Sequence, residues 1–265
     1  MTTSFDRIAD TYDATRGFPQ GVAGRIVAAV CQQLPSIREA RVLEIGVGTG
    51  RLALPFSAQV TGFIGLDISQ KMLCQLQSKV TQGSSLEVMI GDAHHLPFSE
   101  STFDAVLCVS VLHLLPDWGQ VLGEIRRILR KGGLLLHGRT LYQGLDSGLY
   151  ERLRYGFFRD SHASRSKPRD RGLGFEEAPG VLRSYFSEPY EISTVSWDTG
   201  FSGQGILHQF KSRVWSETWA LSDEELADFV RRMSDWVVEQ VGDPMQTYWR
   251  RSHFVVSAYP NMGTR

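Results

Sequence analysis

Three closely spaced glycines and two distant acidic residues are the positions of this sequence that most suggest ligand chemistry. The stretch RVLEIGVGTGR, residues 41–51, runs from an apolar segment into Gly46, Gly48 and Gly50 and then into a helical pattern. A strand that breaks into glycines before a helix lets the backbone approach a ligand closely, and the helix start offers unpaired N–H groups. We therefore interpret this stretch as a cofactor-binding loop.

The spacing of the glycines and the acids indicates which kind of cofactor this loop would hold. A dinucleotide fingerprint reads G-x-G-x-x-G, whereas the third glycine here comes one residue early. Asp67 ends the second predicted strand, where a carboxylate can accept both ribose hydroxyls. Asp92, followed by Ala93, can accept from the exocyclic amine of a purine. The loop alone is also consistent with a tight turn that binds nothing, but the three features together favour an adenosine-containing ligand.

Strand and helix alternate along the first 140 residues. This alternation predicts an α/β fold with a parallel sheet and helices on both faces. Ligands in such sheets bind at the carboxyl ends of the strands, so the glycine loop, Asp67 and Asp92 should share one rim. Asp117 and Ser69 are predicted to cap helices. Strands are predicted at residues 42–45, 61–69, 86–92 and 103–111, with a fifth beginning at 134–136 and His137 at its end.

The second half of the chain has a different rhythm. Residues 140–188 are rich in Arg, Gly, Ser and aromatic residues, with a possible helix at 149–160 and a loop at 161–172. Strand-like alternation resumes at 190–197, and Ser222 with Glu225 fits a capping box that begins a long helix. Residues 253–259 form a last apolar strand. We interpret the whole as one domain with an inserted cap region.

Composition excludes several classes of protein. The 265 residues carry a net charge of about −1 and 22% charged residues, so nothing global favours a polyanionic partner. Three cysteines are too few and too scattered for a disulfide framework, and no spacing predicts a metal site. The N-terminus does not resemble a signal peptide, and no apolar run predicts membrane insertion. A cytoplasmic protein is the default expectation, and no feature specifies an oligomeric state.

Five successive segments resemble the motifs of the class I S-adenosylmethionine-dependent methyltransferases. They read RVLEIGVGTG, GLDIS, GDAHHLPF, FDAVLCVSVLHLL and RRILRKGGLLL, and the most similar branch methylates small molecules, including quinone precursors. The resemblance covers residues 4–140 and, more weakly, the tail after 202. It implies a Rossmann-like, seven-stranded, mostly parallel sheet whose last strand is antiparallel. It also implies a single methyltransferase domain over 1–265, with a helical lid at 1–35 and cap elements at 140–188 and about 202–245.

The same resemblance assigns S-adenosylmethionine as the cofactor and gives roles to individual residues. The glycines would hold its methionine part, Asp67 its ribose, and Asp92 with Ala93 its adenine. Glu44 stands where the family often has aspartate, and we interpret it as an acid that holds backbone or the cofactor's amine. The remaining cofactor-binding residues implied are Ile68 and Met72 beside the adenine ring, and Tyr12 and Arg16 near the cofactor's carboxylate.

Two histidines are candidates for a catalytic base. Methyl transfer from a sulfonium needs a base only if the acceptor carries a proton of high pKa. His113 follows the fourth strand and His137 the fifth, both on the rim where an acceptor should approach. Each could equally be a structural histidine, and we would test His137 first.

Three functions remain open from the sequence. The first is methylation of a small, partly apolar or aromatic molecule, which the many aromatic residues after position 150 favour. The second is methylation of tRNA or another RNA through the basic insert at 152–171, although the near-neutral net charge argues against a large nucleic-acid footprint. The third is a catalytically silent subunit that binds the cofactor and supports a partner.

Overall fold

Strands and helices alternate through the first half of the chain, as the sequence predicts. The computed structural model describes residues 4–144, 146–157, 172–174 and 176–263. Within them, seven strands form one sheet in the order β3-β2-β1-β4-β5-β7-β6. The strands are β1 Arg41–Ile45, β2 Gly62–Asp67, β3 Leu86–Ile90, β4 Phe103–Val109, β5 Leu129–Gln143, β6 Tyr190–Phe201 and β7 Tyr248–Pro260.

Helices join most of these strands. Short 3-10 turns at Asp6–Thr11, Pro35–Glu39, Leu112–Leu114 and Ser216–Thr218 accompany them, and a π turn follows α6 at Arg152–Gly156. The helices are α1 Tyr12–Arg16, α2 Val22–Gln33, α3 Ala53–Ser57, α4 Gln70–Gln77, α5 Trp118–Ile128, α6 Ser147–Glu151, α7 Ala178–Tyr185, α8 Gly203–Lys211 and α9 Asp223–Val241.

The centre of the sheet explains where a ligand would bind. β1 pairs in parallel with β2 on one side and with β4 on the other, so that Leu43 lies opposite both Ile64 and Val106. The strand order reverses between β1 and β4, and α/β sheets bind ligands at such a switch point. The glycine loop leaves β1 at this position. β1 and β4 are almost wholly buried because helices cover both faces of a parallel sheet.

The chain divides into two compact units. Unit 1 comprises Met1–Thr140, Ser166–Val195 and Phe254–Arg265, and unit 2 comprises Leu141–Arg165 and Ser196–His253. The core of unit 1 includes the apolar face of α5, whose Val121, Leu122 and Ile125 are fully buried. Unit 2 has a separate core formed by α8, α9 and the segment after α6. Its fully buried members are Leu153, Phe210, Phe229, Met233 and Val237.

The two predicted helix caps in unit 1 have different outcomes. The Ser69 hydroxyl accepts from the Met72 amide at 3.2 Å, which confirms the cap of α4. Asp117 precedes α5, but its backbone is left-handed at φ 45° and its side chain makes no capping bond, so that prediction is wrong. In unit 2 the predicted capping box of Ser222 and Glu225 is present at the start of α9.

Several predicted boundaries are also corrected. His137 does not end the fifth strand, because β5 continues to Gln143. The third strand stops at Ile90, so Asp92 lies in the following loop. The last strand begins at Tyr248 instead of His253. Its first five residues, YWRRS, are polar or aromatic, so they lack the apolar run on which the prediction was based. Most of the predicted basic insert, residues 158–171, lies outside the described residues.

Candidate cofactor and active site

The glycine loop adopts a backbone that only glycine tolerates well. Gly46, Gly48 and Gly50 all have positive φ angles, of 71°, 56° and 82°. An added Cβ on Gly46 would lie 2.6 Å from Val111 Cγ2, and one on Gly50 would overlap the Leu76 side chain. The glycines are therefore needed for the loop to fold against its own neighbours. The amides of Gly46, Gly48 and Gly50 are hydrogen-bonded within the protein, to the Leu66 carbonyl, the Asp67 carboxylate and the Val47 carbonyl.

Asp67 ties the glycine loop to the start of α4. Its Oδ2 accepts from the Gly48 amide at 2.8 Å, and its Oδ1 accepts from the Ser69 amide at 2.9 Å. Burial raises the pKa of Asp67, although the amides of Ser69 and Gly48 oppose the shift by stabilising the charged form. A carboxylate offers about four acceptor positions, so these amides leave acceptor capacity for a ligand hydroxyl.

Glu44 is a buried acid with an unsatisfied oxygen directly before the loop. The side chain is 4% exposed, and its Oε2 has no hydrogen-bond partner among the described residues. Burial raises the pKa of Glu44 to about 8, with Arg51 opposing the shift and Asp67 adding to it. An acceptor of this kind suits a positively charged amine, which would favour its ionised form.

The N-terminal segment is held against the loop by side chains that sequence reasoning missed. Asp13 Oδ1 accepts from the Thr49 hydroxyl at 2.5 Å, and its Oδ2 accepts from Lys79 Nζ at 2.6 Å. Lys79 also donates to the Thr49 carbonyl at 2.7 Å. These contacts lower the pKa of Asp13 although burial opposes them. The only sequence feature that pointed to Asp13 was its position next to Tyr12, a predicted cofactor-binding residue.

Arg51 connects the predicted residues Tyr12 and Arg16 to the same loop. Its Nη1 donates to the Arg16 carbonyl at 2.7 Å, and its guanidinium lies 5.7 Å from the Tyr12 ring centroid. The ring of Phe18 lies closer, at 4.8 Å. The structure therefore brings Tyr12 and Arg16 beside the glycine loop. The sequence analysis did not single out Arg51, although it is the residue that follows Gly50.

The predicted adenine residues lie at the ends of β2 and β3. Ile68 is 37% exposed, which is unusual for an apolar residue at a strand end and suits stacking against a ring. Ala93 is buried, and so is Met72, whose Cε would lie 3.2 Å from a Cβ on Gly48. Met72 thus packs against the glycine loop. Ile68 and Asp92 remain accessible to a ligand at the surface.

His94 holds Asp92 in place. Asp92 Oδ1 receives both the His94 amide at 2.9 Å and His94 Nδ1 at 2.6 Å. The other ring nitrogen, Nε2, lies 2.5 Å from the Pro116 carbonyl. Both partners are acceptors, so the ring donates to each only when it carries two protons. Burial opposes this charge, but the bonds to Pro116 and Asp92 outweigh it and raise the pKa of His94.

This pairing is expected to make the protein less stable at alkaline pH. The pKa of His94 lies above its ordinary 6.5, so its contribution is complete below that pH and is lost as the pH rises through the raised value. Urea unfolding from about pH 6 to about pH 9 should show this loss in the wild type and not in His94→Gln. We expect about 1 kcal/mol, because Asp92 is partly exposed and screened.

His95→Gln is the matched control for this experiment, since His95 is adjacent and exposed. It should keep the wild-type pH dependence. An identical pH dependence in the wild type and His94→Gln would contradict the assignment of a charged His94.

The two candidate catalytic histidines lie near each other in unit 1. His137 pairs with Cys108 across β4 and β5, next to the pair of Val109 and Gly138, and His113 lies in the turn after β4. His137 is buried, and its Nδ1 has no hydrogen-bond partner among the described residues. Burial, with Arg139 and His113, lowers the pKa of His137 to about 4. The ring is therefore neutral at physiological pH and is a weak base in the free protein.

Across the described ranges, no group of three or more His, Cys, Asp or Glu side chains is arranged to hold a metal ion. Among the helices within those same ranges, none is long and apolar enough to cross a bilayer.

Comparison with known proteins shows which family part of the chain resembles. Residues 43–137 match the methyltransferase domain family. The chain is 27% identical over 208 residues to an uncharacterised protein of Methanocaldococcus jannaschii, covering 77% of this chain and 95% of that protein. It is 34% identical over 135 residues to a demethylmenaquinone methyltransferase of Thermotoga maritima, covering 50% of this chain and 58% of that enzyme.

A solved structure shares the fold. The phosphoethanolamine N-methyltransferase 2 of Haemonchus contortus, determined with S-adenosylhomocysteine, superimposes with a TM-score of 0.53 at 18% identity. The match covers 97% of this chain and 58% of that one. Residues 43–137 thus match a methyltransferase domain, and this stretch includes the glycine loop, Asp67 and Asp92.

Proposed function

We propose that this protein is an S-adenosylmethionine-dependent methyltransferase whose acceptor is a small, partly apolar or aromatic molecule. The observation that carries the proposal is the set of acids around the glycine loop. Glu44 lies in β1, Asp67 ends β2, and Asp92 lies in the loop after β3. Each offers oxygen acceptors of the kind that an amine, a ribose and an adenine need.

The residues present fit this cofactor. Glu44 has a buried oxygen without a partner, which suits the cationic amine of a methionine group. Asp67 keeps acceptor positions for the ribose, and Asp92 has an oxygen, Oδ2, that His94 does not use. Ile68 would cover one face of the adenine. When bound, S-adenosylmethionine supplies a methyl group on a sulfonium, which a nucleophile can take by in-line displacement.

The protein itself mainly positions the two reactants and encloses the bound cofactor. The contacts of Asp13, Thr49 and Lys79 hold the N-terminal segment against the loop, which would keep water from a bound cofactor. Positioning of two reactants can supply on the order of 7–11 kcal/mol of a reaction barrier. We propose that residues 1–35 act as a lid in this sense.

The acceptor class is inferred from the elements that we propose as the cap, at residues 140–188 and about 202–245. These elements contain connected aromatic rings: Phe157 contacts Phe229 and Trp236, and Phe210 contacts Phe229. Arg154, which the sequence placed in the basic insert, is 4% exposed, pairs with Glu217 at 2.8 Å and lies 3.8 Å from the Trp215 ring centroid. This arginine is committed to internal contacts, which disfavours an RNA-binding role for it. A cytoplasmic location remains our expectation for an enzyme of this kind.

His137 is expected to act on the acceptor and not on the cofactor. The imidazole of His137 is neutral and buried, and its Nδ1 has no hydrogen-bond partner among the described residues. This nitrogen can donate or accept one hydrogen bond, according to the tautomer, with the molecule that is methylated. His137→Gln should lower kcat by roughly 100-fold, the lower limit of a general acid–base contribution. The dissociation constant of S-adenosylhomocysteine, measured by calorimetry, should not change.

His113→Gln separates a role of His137 from a general effect on the pair. If His137→Gln weakens cofactor binding as much as it slows turnover, the assigned role is wrong. If His113→Gln alone lowers kcat, the catalytic contribution belongs to His113.

The function itself is tested with a panel of acceptors. Purified protein and labelled S-adenosylmethionine would be incubated with quinols, phenols, small amines, carboxylic acids and bulk tRNA, and transfer of label measured. Transfer to a small molecule supports the proposal, whereas salt-sensitive transfer to tRNA favours the RNA alternative. Cofactor binding with no transfer to any acceptor favours a silent partner subunit.

A further inference from the structure

Arg250 on β7 has no acidic partner among the described residues, whereas the adjacent Arg251 has one. Successive side chains of a strand point to opposite faces, so Arg250 lies on the face opposite to Trp249 and Arg251. Arg251 is exposed and pairs with Asp198 at 3.1 Å. Arg250 is half-buried, and no described carboxylate lies within ion-pair distance of it.

Two tyrosine rings enclose the guanidinium of Arg250. Its Cζ lies 3.4 Å from the Tyr150 ring centroid and 3.9 Å from that of Tyr142. The aromatic wall continues from Tyr150 to Phe201 at 5.2 Å and from Phe201 to Tyr248 at 5.7 Å. All of these residues belong to unit 2.

The edges of this guanidinium are not satisfied. Nε and Nη1 are buried from water, and neither has an acceptor among the described residues. Aromatic faces stabilise the charge of an arginine but do not accept its in-plane N–H groups as an oxygen would. Buried donors left without acceptors are costly, and they recur where a ligand completes the set.

The chemistry of a guanidinium determines which ligand groups could accept the missing hydrogen bonds. Its planar fork matches the two oxygens of a carboxylate or a phosphate, and such pairs are charge-assisted and short. The two adjacent tyrosine rings favour a ligand with an apolar or aromatic body. We propose that Arg250, Tyr142 and Tyr150 form an anion-binding site in unit 2 that takes the carboxylate or phosphate group of a small aromatic molecule.

Direct binding measurements test this site without cofactor or turnover. A negative result would therefore count against the anion-binding site and not against the proposed methyltransferase function. The probes are benzoate, phenyl phosphate and the neutral benzamide, titrated calorimetrically into the full chain at low ionic strength. We expect saturable binding of benzoate or phenyl phosphate and none of benzamide. The better of the two anions identifies a carboxylate or a phosphate as the preferred group.

Variants assign the binding to this residue. Arg250→Met should weaken binding of the anion roughly tenfold or more, because a charge-assisted bond is lost. Arg251→Met, one residue away and exposed, should bind as the wild type does. If Arg250→Met fails to fold by circular dichroism, Arg250→Lys keeps the charge but not the fork, and should still weaken binding about threefold.

Two results would overturn the site. The first is that neither anion binds the wild type. The second is that a folded Arg250→Met or Arg250→Lys binds the anion as tightly as the wild type, which would leave Arg250 as a structural cation between two rings.

Discussion

Replacing Asp67 with alanine is expected to weaken binding of S-adenosylhomocysteine by tenfold or more, roughly 1.4 kcal/mol, which is typical of lost hydrogen bonds to a charged group. Two effects act in the same direction. The substitution removes the proposed acceptor of the ribose hydroxyls, and it frees the Gly48 amide that Asp67 Oδ2 holds at 2.8 Å. Calorimetric titration of the wild type and the variant measures the change.

Asp104→Asn is the matched control for this experiment. Asp104 also lies in a strand of the sheet and also accepts a backbone amide, that of Arg41 at 2.6 Å, but at the start of β4 and away from the rim. Its variant should bind S-adenosylhomocysteine normally. Unchanged affinity in a folded Asp67→Ala would remove Asp67 from the cofactor site.

Substituting Gly50 with alanine should both destabilise the fold and abolish tight cofactor binding. The residue has a φ of 82°, and an added Cβ would overlap the side chain of Leu76. A left-handed backbone costs an alanine about 1–2 kcal/mol, and overpacking costs about 1–3 kcal/mol more. We expect the free energy of unfolding, measured in urea, to fall by roughly the sum of these two costs.

A second glycine separates the two costs. Gly83 has a φ of 88°, yet an added Cβ there would meet no atom within 4 Å. Gly83→Ala should therefore show only the backbone cost and leave cofactor binding unchanged. Equal losses of stability in Gly50→Ala and Gly83→Ala would contradict the packing of the loop on α4.

The parallel strands of the sheet were predictable because each one is marked by residues within a short stretch of sequence. Buried parallel strands are continuous apolar runs, and the glycines that follow β1 mark where the chain must turn sharply. Ser69 and the Ser222–Glu225 pair were found because capping residues act on amides two or three positions away. Asp117 has the residue type of a cap, but its left-handed backbone prevents the bond.

The contacts that complete the site were not predictable in the same way. Asp13, Thr49 and Lys79 come from three distant parts of the sequence, and only the fold brings them within 3 Å of one another. Arg154 belongs to a stretch whose composition suggests a solvated basic surface, and the sequence analysis did not single out Arg250. Their burial against aromatic rings depends on packing within unit 2, which no spacing along the chain encodes.

The acid at the end of β1 shows how the structure changes the meaning of a sequence feature. Glu44 reads as a family variant of an aspartate, but its burial raises its pKa to about 8 and leaves one oxygen without a partner. A cationic amine placed there would convert the carboxyl to its charged form. Cofactor binding should consequently release a proton at neutral pH.

A structure of the protein with S-adenosylhomocysteine tests the proposed site most directly. We expect the ribose hydroxyls on Asp67, the adenine amine on Asp92, and the amino group of the methionine part within hydrogen-bond distance of Glu44. Binding at any other position, or no binding at saturating concentration, would contradict the proposal that the glycine loop holds the methyl donor.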